Sequence, residues 1–249
     1  MTAPVFVVDK LASGPGGRFV LDGPEGRHAV TVKRLHAGED VVLTDGRGSW
    51  AECVVLATED KDRLVVQLDS VSEEPTPAPR LTVVQALPKG DRGEVAVETM
   101  TETGVDAIVP WHASRCITQW RGDRGLKALA KWRATAREAG KQSRRVRFPE
   151  VADVMSTKQV GALLATADFA AVLHEDPSVG SEALATAQLP DAGTIVLVVG
   201  PEGGVSPDEL ALFAQAGAEP YRLGPSVLRT STAGTAAAAL LLGRTGRWS

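Results

Sequence analysis

The chain has 249 residues, of which 43% are hydrophobic and 23% charged, and a net charge of −4. That is enough apolar material for one large or two small cores. No uninterrupted apolar run reaches the length of a membrane span, and the start MTAPVFVVDK lacks a basic stretch followed by an apolar one, so a cytoplasmic protein is expected. Cys53 and Cys116 have no CxxC spacing and His28, His36, His112 and His174 no metal-ligand spacing, which argues against a disulfide framework and a metal centre.

Residues 1–72 read as a small β-domain. PVFVVD, RFVLD, DVVLTD, AECVVLAT and RLVVQL are short β-branched runs separated by turn residues, with DGRGS as a hairpin connection and only HAVTVKRL helical in character. EEPTPAP, residues 73–79, then places three prolines within five residues, which makes a stiff extended spacer and a domain boundary. Across residues 80–249 strands alternate with helices, the pattern of a mainly parallel sheet covered on both faces. Asp91 and Glu94 have the spacing of a capping box for a helix that Gly104 can end.

The net charge conceals a strong asymmetry. Between Arg115 and Arg147 eleven Lys and Arg face only Asp123 and Glu138, a local balance of +9 that leaves −13 for the rest of the chain. A phosphate-binding surface needs such a concentration, while the acidic remainder limits indiscriminate adhesion. Arg121, Arg124, Lys127, Lys131, Arg144, Arg145 and Arg147 are the expected RNA contacts, with a solvated face as the alternative. Trp120 and Trp132 lie in the same tract, where they either stack on unpaired bases or fill a helix's buried side; Trp132, beside Leu129 and Ala136, fits the second role.

Three strand ends follow. FAAVLHED (Phe169 to Asp176) is a short apolar strand with polar residues at its end and a helix-compatible stretch from Ser181; TIVLVVG opens into PEGGVSPDEL; YRLG opens into PSVLRTSTAG. Strand, glycine-rich loop and helix in succession are how α/β proteins place ligands at the carboxyl ends of strands, so the three loops are expected to line one crevice. Gly200, Gly203 and Gly204 let backbone approach a ligand, and Ser206, Pro207 and Glu209 form a capping box that starts the next helix. The loop has neither GxGxxG nor GK[ST], which weakens dinucleotide and nucleoside-triphosphate readings. The last helix, about Ser231 to Leu242, is nearly all alanine and leucine, so it is either buried or part of a subunit interface.

LHE, VGPEGGVSPDE and LGPSVLRTSTA together resemble the carboxyl-terminal motifs of the SPOUT superfamily of S-adenosylmethionine-dependent RNA methyltransferases. Within it the chain is most similar to the bacterial family that methylates N3 of a uridine in 16S ribosomal RNA. QALPKGDRGEVAVETMTETGVDAIVP resembles that family's opening strand, helix and strand, and KWRATAREAGKQSRRVRFPEV its central helix and the strand after it. The resemblance implies an α/β fold: a SPOUT-type domain with a C-terminal trefoil knot, between about Thr194 and Leu242, preceded by a small PUA-like β-barrel that assists RNA binding. It also implies a homodimer and 16S rRNA as partner, expected within the small ribosomal subunit. The donor pocket carried over by the motifs is Leu173, His174, Glu175, Gly200, Glu202, Gly203, Leu223, Gly224, Val227, Leu228 and Arg229. Arg229 is then placed to stabilise charge on the uracil, and Glu175 or Glu202 to accept its proton or to brace a loop.

The chain departs from the family pattern at several positions. Ser231 stands where the family commonly has Glu, Gly93 and Val95 where Met and Trp are usual, and Lys141 and Arg144 where Glu and Gly are typical. A SPOUT enzyme for another rRNA base or a ribose 2′-hydroxyl, and a non-catalytic RNA-binding protein with a decayed pocket, are the alternatives.

Overall fold

The computed structural model describes residues 3–11, 14–175 and 182–248, which form two compact units. One comprises Met1–Thr76 with Gly140–Phe148, the other Pro77–Ala139 with Pro149–Ser249.

The first unit is built on a five-stranded sheet of β1 (Val5–Val7), β2 (Arg18–Leu21), β3 (Asp40–Thr44), β4 (Ser49–Glu59) and β5 (Arg63–Glu73), in the order β1-β3-β4-β5-β2. β1 pairs parallel with β3 and the other pairs are antiparallel. Register shifts between Glu52 and Cys53 and between Val55 and Ala57 bend the long β4–β5 ribbon. Inward residues alternate along it, and Leu43, Ala51, Leu64, Val66 and Leu68 are wholly buried with Phe6. The helical signal of HAVTVKRL resolves into α1 (Gly23–Arg27) continued by a π-helical turn at His28–Val32.

The first unit also takes in a later segment of the chain. Residues 140–148 fall within the expected second domain, yet they group with the first unit because their backbone pairs with the β3–β4 hairpin. Gly48 donates to the Val146 carbonyl at 3.1 Å, Phe148 to the Gly46 carbonyl at 2.8 Å, and the Thr44 hydroxyl to Val146 at 2.8 Å.

The second unit holds β6 (Arg80–Ala86), α2 (Arg92–Thr103), β7 (Ala107–His112), most of α3 (Gly122–Gln142), β8 (Glu150–Val151), β9 (Met155–Ser156), α4 (Thr157–Leu164), β10 (Phe169–Leu173), β11 (Glu182–Ala183), β12 (Thr194–Val199), α5 (Pro207–Gln215), β13 (Glu219–Arg222) and α6 (Thr230–Arg244). The sheet runs β11-β13-β10-β12-β6-β7-β8, with β9 beside β7, and every pairing is parallel. Both faces are covered, which is why TIVLVV and FAAVL are almost continuously apolar.

The ends of α2 divide the sequence expectation. Gly104 does close the helix, in the left-handed conformation at φ 110°, but Asp91 makes no side-chain cap bond and Glu94 instead pairs with Lys131 at 3.0 Å. After β10, Asp176 and Ser181 lie outside the described residues, and where a helix was expected the chain shows β11 and a short 3-10 turn at Leu184–Thr186. α6 packs on α2, β6 and β12, burying Gly234, Ala237, Ala238, Leu241 and Leu242. No helix among the described residues is long and apolar enough to cross a membrane.

Candidate functional site

β10, β12 and β13 lie side by side, and the chain passes from β12 across β10 to reach β13. Crevices of this kind, at the carboxyl ends of strands where the order reverses, are where open α/β sheets bind ligands. A cavity of about 350 Å3 lies there, walled by residues 173–175, 199–202, 204–205 and 223–230 with Arg92 and Ala233. The three strand-end loops therefore do converge, and every residue of the expected donor pocket except Gly203 borders the cavity.

Gly203 faces elsewhere. A Cβ on it would lie 3.2 Å from the Cβ of Arg115, and its carbonyl accepts a hydrogen bond from the Arg115 guanidinium at 3.0 Å. Gly224, by contrast, has nothing within 4 Å of where its Cβ would be, so its backbone opens on free space beside the cavity.

Two buried hydrogen-bond networks hold these loops. In one, the hydroxyl of Thr230, at the start of α6, donates to the Gly200 carbonyl at 2.7 Å and accepts from the Gln85 side-chain amide at 3.0 Å. The ends of β6 and β12 and the start of α6 are thereby joined. In the other, Glu209 is only 4% exposed and accepts from the amide and hydroxyl of Ser114, the amide and hydroxyl of Ser206, and the Thr157 hydroxyl. Ser206 and Glu209 form the expected capping box, and the same carboxylate also anchors α4 and the loop after β7. Burial pushes the Glu209 carboxyl up, but the hydrogen bonds from Ser114 and Ser206 together hold it below its ordinary value.

The charged groups of the cavity differ in how they are engaged. Glu202 gives one oxygen to the Lys89 backbone amide at 3.0 Å, which braces the loop between β6 and α2. Glu175 is exposed and makes no hydrogen bond or ion pair among the described residues, and the same holds for the side chains of Arg92 and Arg229. Arg229 occupies the N-cap position of α6 and uses its carbonyl, accepting from Thr232 and Ala233 at 2.9 Å each. Ser231 is buried at 3% exposure in the first turn of that helix.

The sequence-expected basic contacts are unequal. In the second unit, the side chains of Arg121, just before α3, and of Arg124 and Lys127 within it make no hydrogen bond or ion pair among the described residues, whereas Lys131 is paired to Glu94. In the first unit, Arg147 is a structural residue: its guanidinium seats on Gly48, donates to the Glu74 carbonyl at 2.6 Å and lies 3.8 Å from both Glu73 and Glu74. Arg144 is exposed at φ 60°, and Arg145 is half-buried with its amide on the Gly140 carbonyl. Trp132 is buried and Trp120 meets it edge-on with centroids 4.9 Å apart, so the pair packs as core. The Trp132 indole occupies the space above Gly93, where a Cβ would approach it to 2.7 Å, which accounts for a glycine at that position.

His112 ends β7 and accepts the Trp120 amide at 3.3 Å through Nε2; burial, then the nearby Arg121, lower its pKa. The cysteines are free and buried, with Cys53 pushed up to about 11 mainly by desolvation. Among the described residues no group of three or more His, Cys, Asp or Glu could hold a metal ion.

Comparison with known proteins decides the family. The model of the RNA methyltransferase domain matches residues 74–242, and that of the RNA methyltransferase PUA domain matches residues 21–69. A ribosomal RNA small subunit methyltransferase E from Mycobacterium bovis is 45% identical over 252 aligned positions, covering 100% of this chain and 94% of the relative. The chain belongs to the ribosomal RNA small subunit methyltransferase E family. Its fold is accordingly the SPOUT type, with a PUA-like domain ahead of the parallel sheet. A methyltransferase from Legionella pneumophila in complex with bound S-adenosylmethionine superposes with a TM-score of 0.84 at 27% identity, over 98% of both chains. The methyltransferase E of Neisseria gonorrhoeae bound to S-adenosylmethionine gives 0.83 at 27% identity, again over 98% of both.

Sequence reasoning missed Gln85, Thr230 and Arg92. Gln85 and Thr230 are 145 residues apart and meet only through the fold. Arg92 was visible only as one cation at a helix start, and no local pattern announces that it borders a cavity made by strand ends far along the chain.

Proposed function

We propose that the protein transfers a methyl group from S-adenosylmethionine to N3 of a uridine in 16S rRNA of the small ribosomal subunit, working as a homodimer in the cytoplasm. The observation that carries this is the convergence of three strand-end loops on one cavity, in a chain whose relatives are named for methylation of small subunit rRNA and whose structural neighbours hold that donor. The cavity suits the donor: exposed loop backbone at Gly224, apolar Leu223 and Val227, and two carboxylates, Glu175 and Glu202, in the lining of a site that would take a ligand with net positive charge. The trefoil knot expected between Thr194 and Leu242 belongs to the same proposal, and the passage of the chain from β12 across β10 to β13 and on to α6 is compatible with it. Val227 at 72% and Leu228 at 41% exposure are apolar surface at the rim that a second subunit would cover.

S-adenosylmethionine, when bound, supplies an electrophilic methyl group. Uridine N3 is a poor nucleophile until its imide proton leaves, and the negative charge then spreads to the flanking carbonyl oxygens. Glu175, free of partners among the described residues, is the group available to accept that proton, while Glu202 is already committed to the Lys89 amide. Arg229 carries a charge that does not titrate and a planar fork suited to an oxygen gaining negative charge.

Nucleoside-resolved mass spectrometry of 16S rRNA from cells with and without the gene tests the proposal. Loss of one N3-methyluridine is expected. Loss of a ribose methyl or of another methylated base instead would assign a different SPOUT activity. No lost mark, together with no saturable heat on titration with S-adenosylmethionine, would leave an RNA-binding protein without catalysis.

A further inference from the structure

Four charged side chains border the cavity, Arg92, Glu175, Glu202 and Arg229, and their formal charges cancel. S-adenosylmethionine has one more positive than negative group, so a loaded cavity carries an excess of +1. Two of the four, Arg92 and Arg229, are guanidiniums that make no hydrogen bond or ion pair among the described residues. Arg92 is half-buried, so part of its water has been removed with no protein acceptor in its place. A partly desolvated, unpaired cation beside a cavity is a site for an anion that arrives with a ligand.

We propose that Arg92 is a second oxyanion group of the reaction: Arg92 and Arg229 each take one of the two carbonyl oxygens, O2 and O4, that flank N3 of the deprotonated uracil. This rests on the uridine-N3 reading above. Moving the imide proton to a cavity carboxylate leaves the total charge of the loaded site unchanged but puts a negative charge on the uracil, and that charge spreads over two oxygens, which matches two separate guanidiniums. Arg92 comes from the first turn of α2 and not from the strand-end loops, so it approaches from the side on which Glu202 holds the β6–α2 loop through Lys89. The Thr118 hydroxyl secures the same loop by donating to the Pro88 carbonyl at 2.8 Å. The group is thus positioned without any contact to its own charged end, as an oxyanion donor should be. In the step itself the N3–H bond breaks, the proton goes to the carboxylate base, and N3 forms the new bond to carbon as the sulfonium leaves as a neutral thioether.

The test compares Arg92→Gln and Arg92→Lys with the wild-type enzyme on 16S rRNA substrate carrying uridine or 5-fluorouridine at the target, since fluorine acidifies the imide. Arg92→Gln should lower the single-turnover rate at neutral pH by about 10²-fold. Affinity for S-adenosylmethionine by calorimetry should change by less than about 3-fold, and Arg92→Lys should retain part of the rate. The defect should shrink as pH rises and with 5-fluorouridine, because both make the anion without help from the cation. A rate defect that is the same at every pH and for both substrates, or a fall in donor affinity as large as the fall in rate, would overturn the inference and assign Arg92 to the donor carboxylate or to packing. Wild-type enzyme that methylates an atom other than N3 would remove the reading beneath it, whereas wild-type N3 product with Arg92→Gln at full rate would remove this inference alone.

Discussion

Thr230 and Gly200 are joined by a hydrogen bond of 2.7 Å from hydroxyl to carbonyl, which ties the last helix to the glycine loop after β12. Thr230→Val keeps the shape of the side chain and removes the bond, leaving a carbonyl at the cavity wall unsatisfied and Gln85 without one acceptor. The expected cost is about 1–3 kcal/mol, or a fall in Tm of roughly 2–4 °C per kcal/mol for a chain of this size. Donor affinity should fall with it, and Thr230→Ser should restore most of both. Denaturation and calorimetric titration of the two variants check this. Unchanged donor affinity in Thr230→Val would mean that the Gly200 loop holds its form without the helix.

Glu209 offers a test by pH. Its carboxylate accepts from Ser114, Ser206 and Thr157, and these bonds are weakened when it is protonated. Because its pKa in the fold is below the unfolded value of about 4.3, the unfolded chain binds the proton more readily, and stability from this group is present above that value and is lost as pH falls through the folded pKa. Glu209→Gln should therefore be less stable than wild type by about 1–3 kcal/mol at neutral pH, with the gap closing in strong acid. Urea titrations across that range measure it. A gap that does not change with pH would show that shape, and not charge, is what the carboxylate contributes.

Gly224, which borders the cavity, and Gly203, which does not, make a paired prediction. Gly203→Val meets Arg115 and should displace its guanidinium from the Gly203 carbonyl, loosening the loop with a modest effect on the donor. Gly224→Val places its Cβ in open space beside the cavity with no protein atom within 4 Å, so the fold should persist while donor affinity drops by about tenfold or more, the equivalent of roughly 1.4 kcal/mol. Titration with S-adenosylmethionine ranks them. The opposite order would return Gly203 to the pocket and remove Gly224.

What the sequence revealed and what it hid follow from the range of the interactions. FAAVL and TIVLVV are legible because a strand buried on both faces must be apolar along its length, and the glycine and proline that follow end it. The capping box of Ser206 and Glu209 is legible because its partners are three residues apart. Asp91 and Glu94 have a similar spacing but no cap bond formed, since Glu94 found Lys131 across the fold. The site's framework of Gln85, Thr230 and Gly200 joins three distant segments, and the cation Arg92 enters from a fourth, so neither leaves a local signature. The basic tract was countable as charge, but which of its members are engaged depends on acids elsewhere in the chain, as Arg147 beside Glu73 and Glu74 demonstrates.

That distinction gives the last prediction. Arg121, Arg124 and Lys127 are exposed and unpartnered among the described residues, so they are available to phosphates; Arg147 is held by its own unit. Changing the first three together to Ala should weaken RNA binding and make the slope of log affinity against log salt shallower by about 0.7 to 0.9 for each phosphate no longer neutralised, up to about three units. Arg147→Ala should leave the slope unaltered and instead destabilise the N-terminal unit, because the Glu74 carbonyl loses its donor and two carboxylates lose their cation. Binding of S-adenosylmethionine should be untouched by the triple change. Filter-binding titrations over a range of salt concentration, beside thermal denaturation, separate the outcomes. An unchanged slope in the triple variant would make that face of α3 merely solvated, and a shallower slope in folded Arg147→Ala would show that this arginine meets RNA despite its ties.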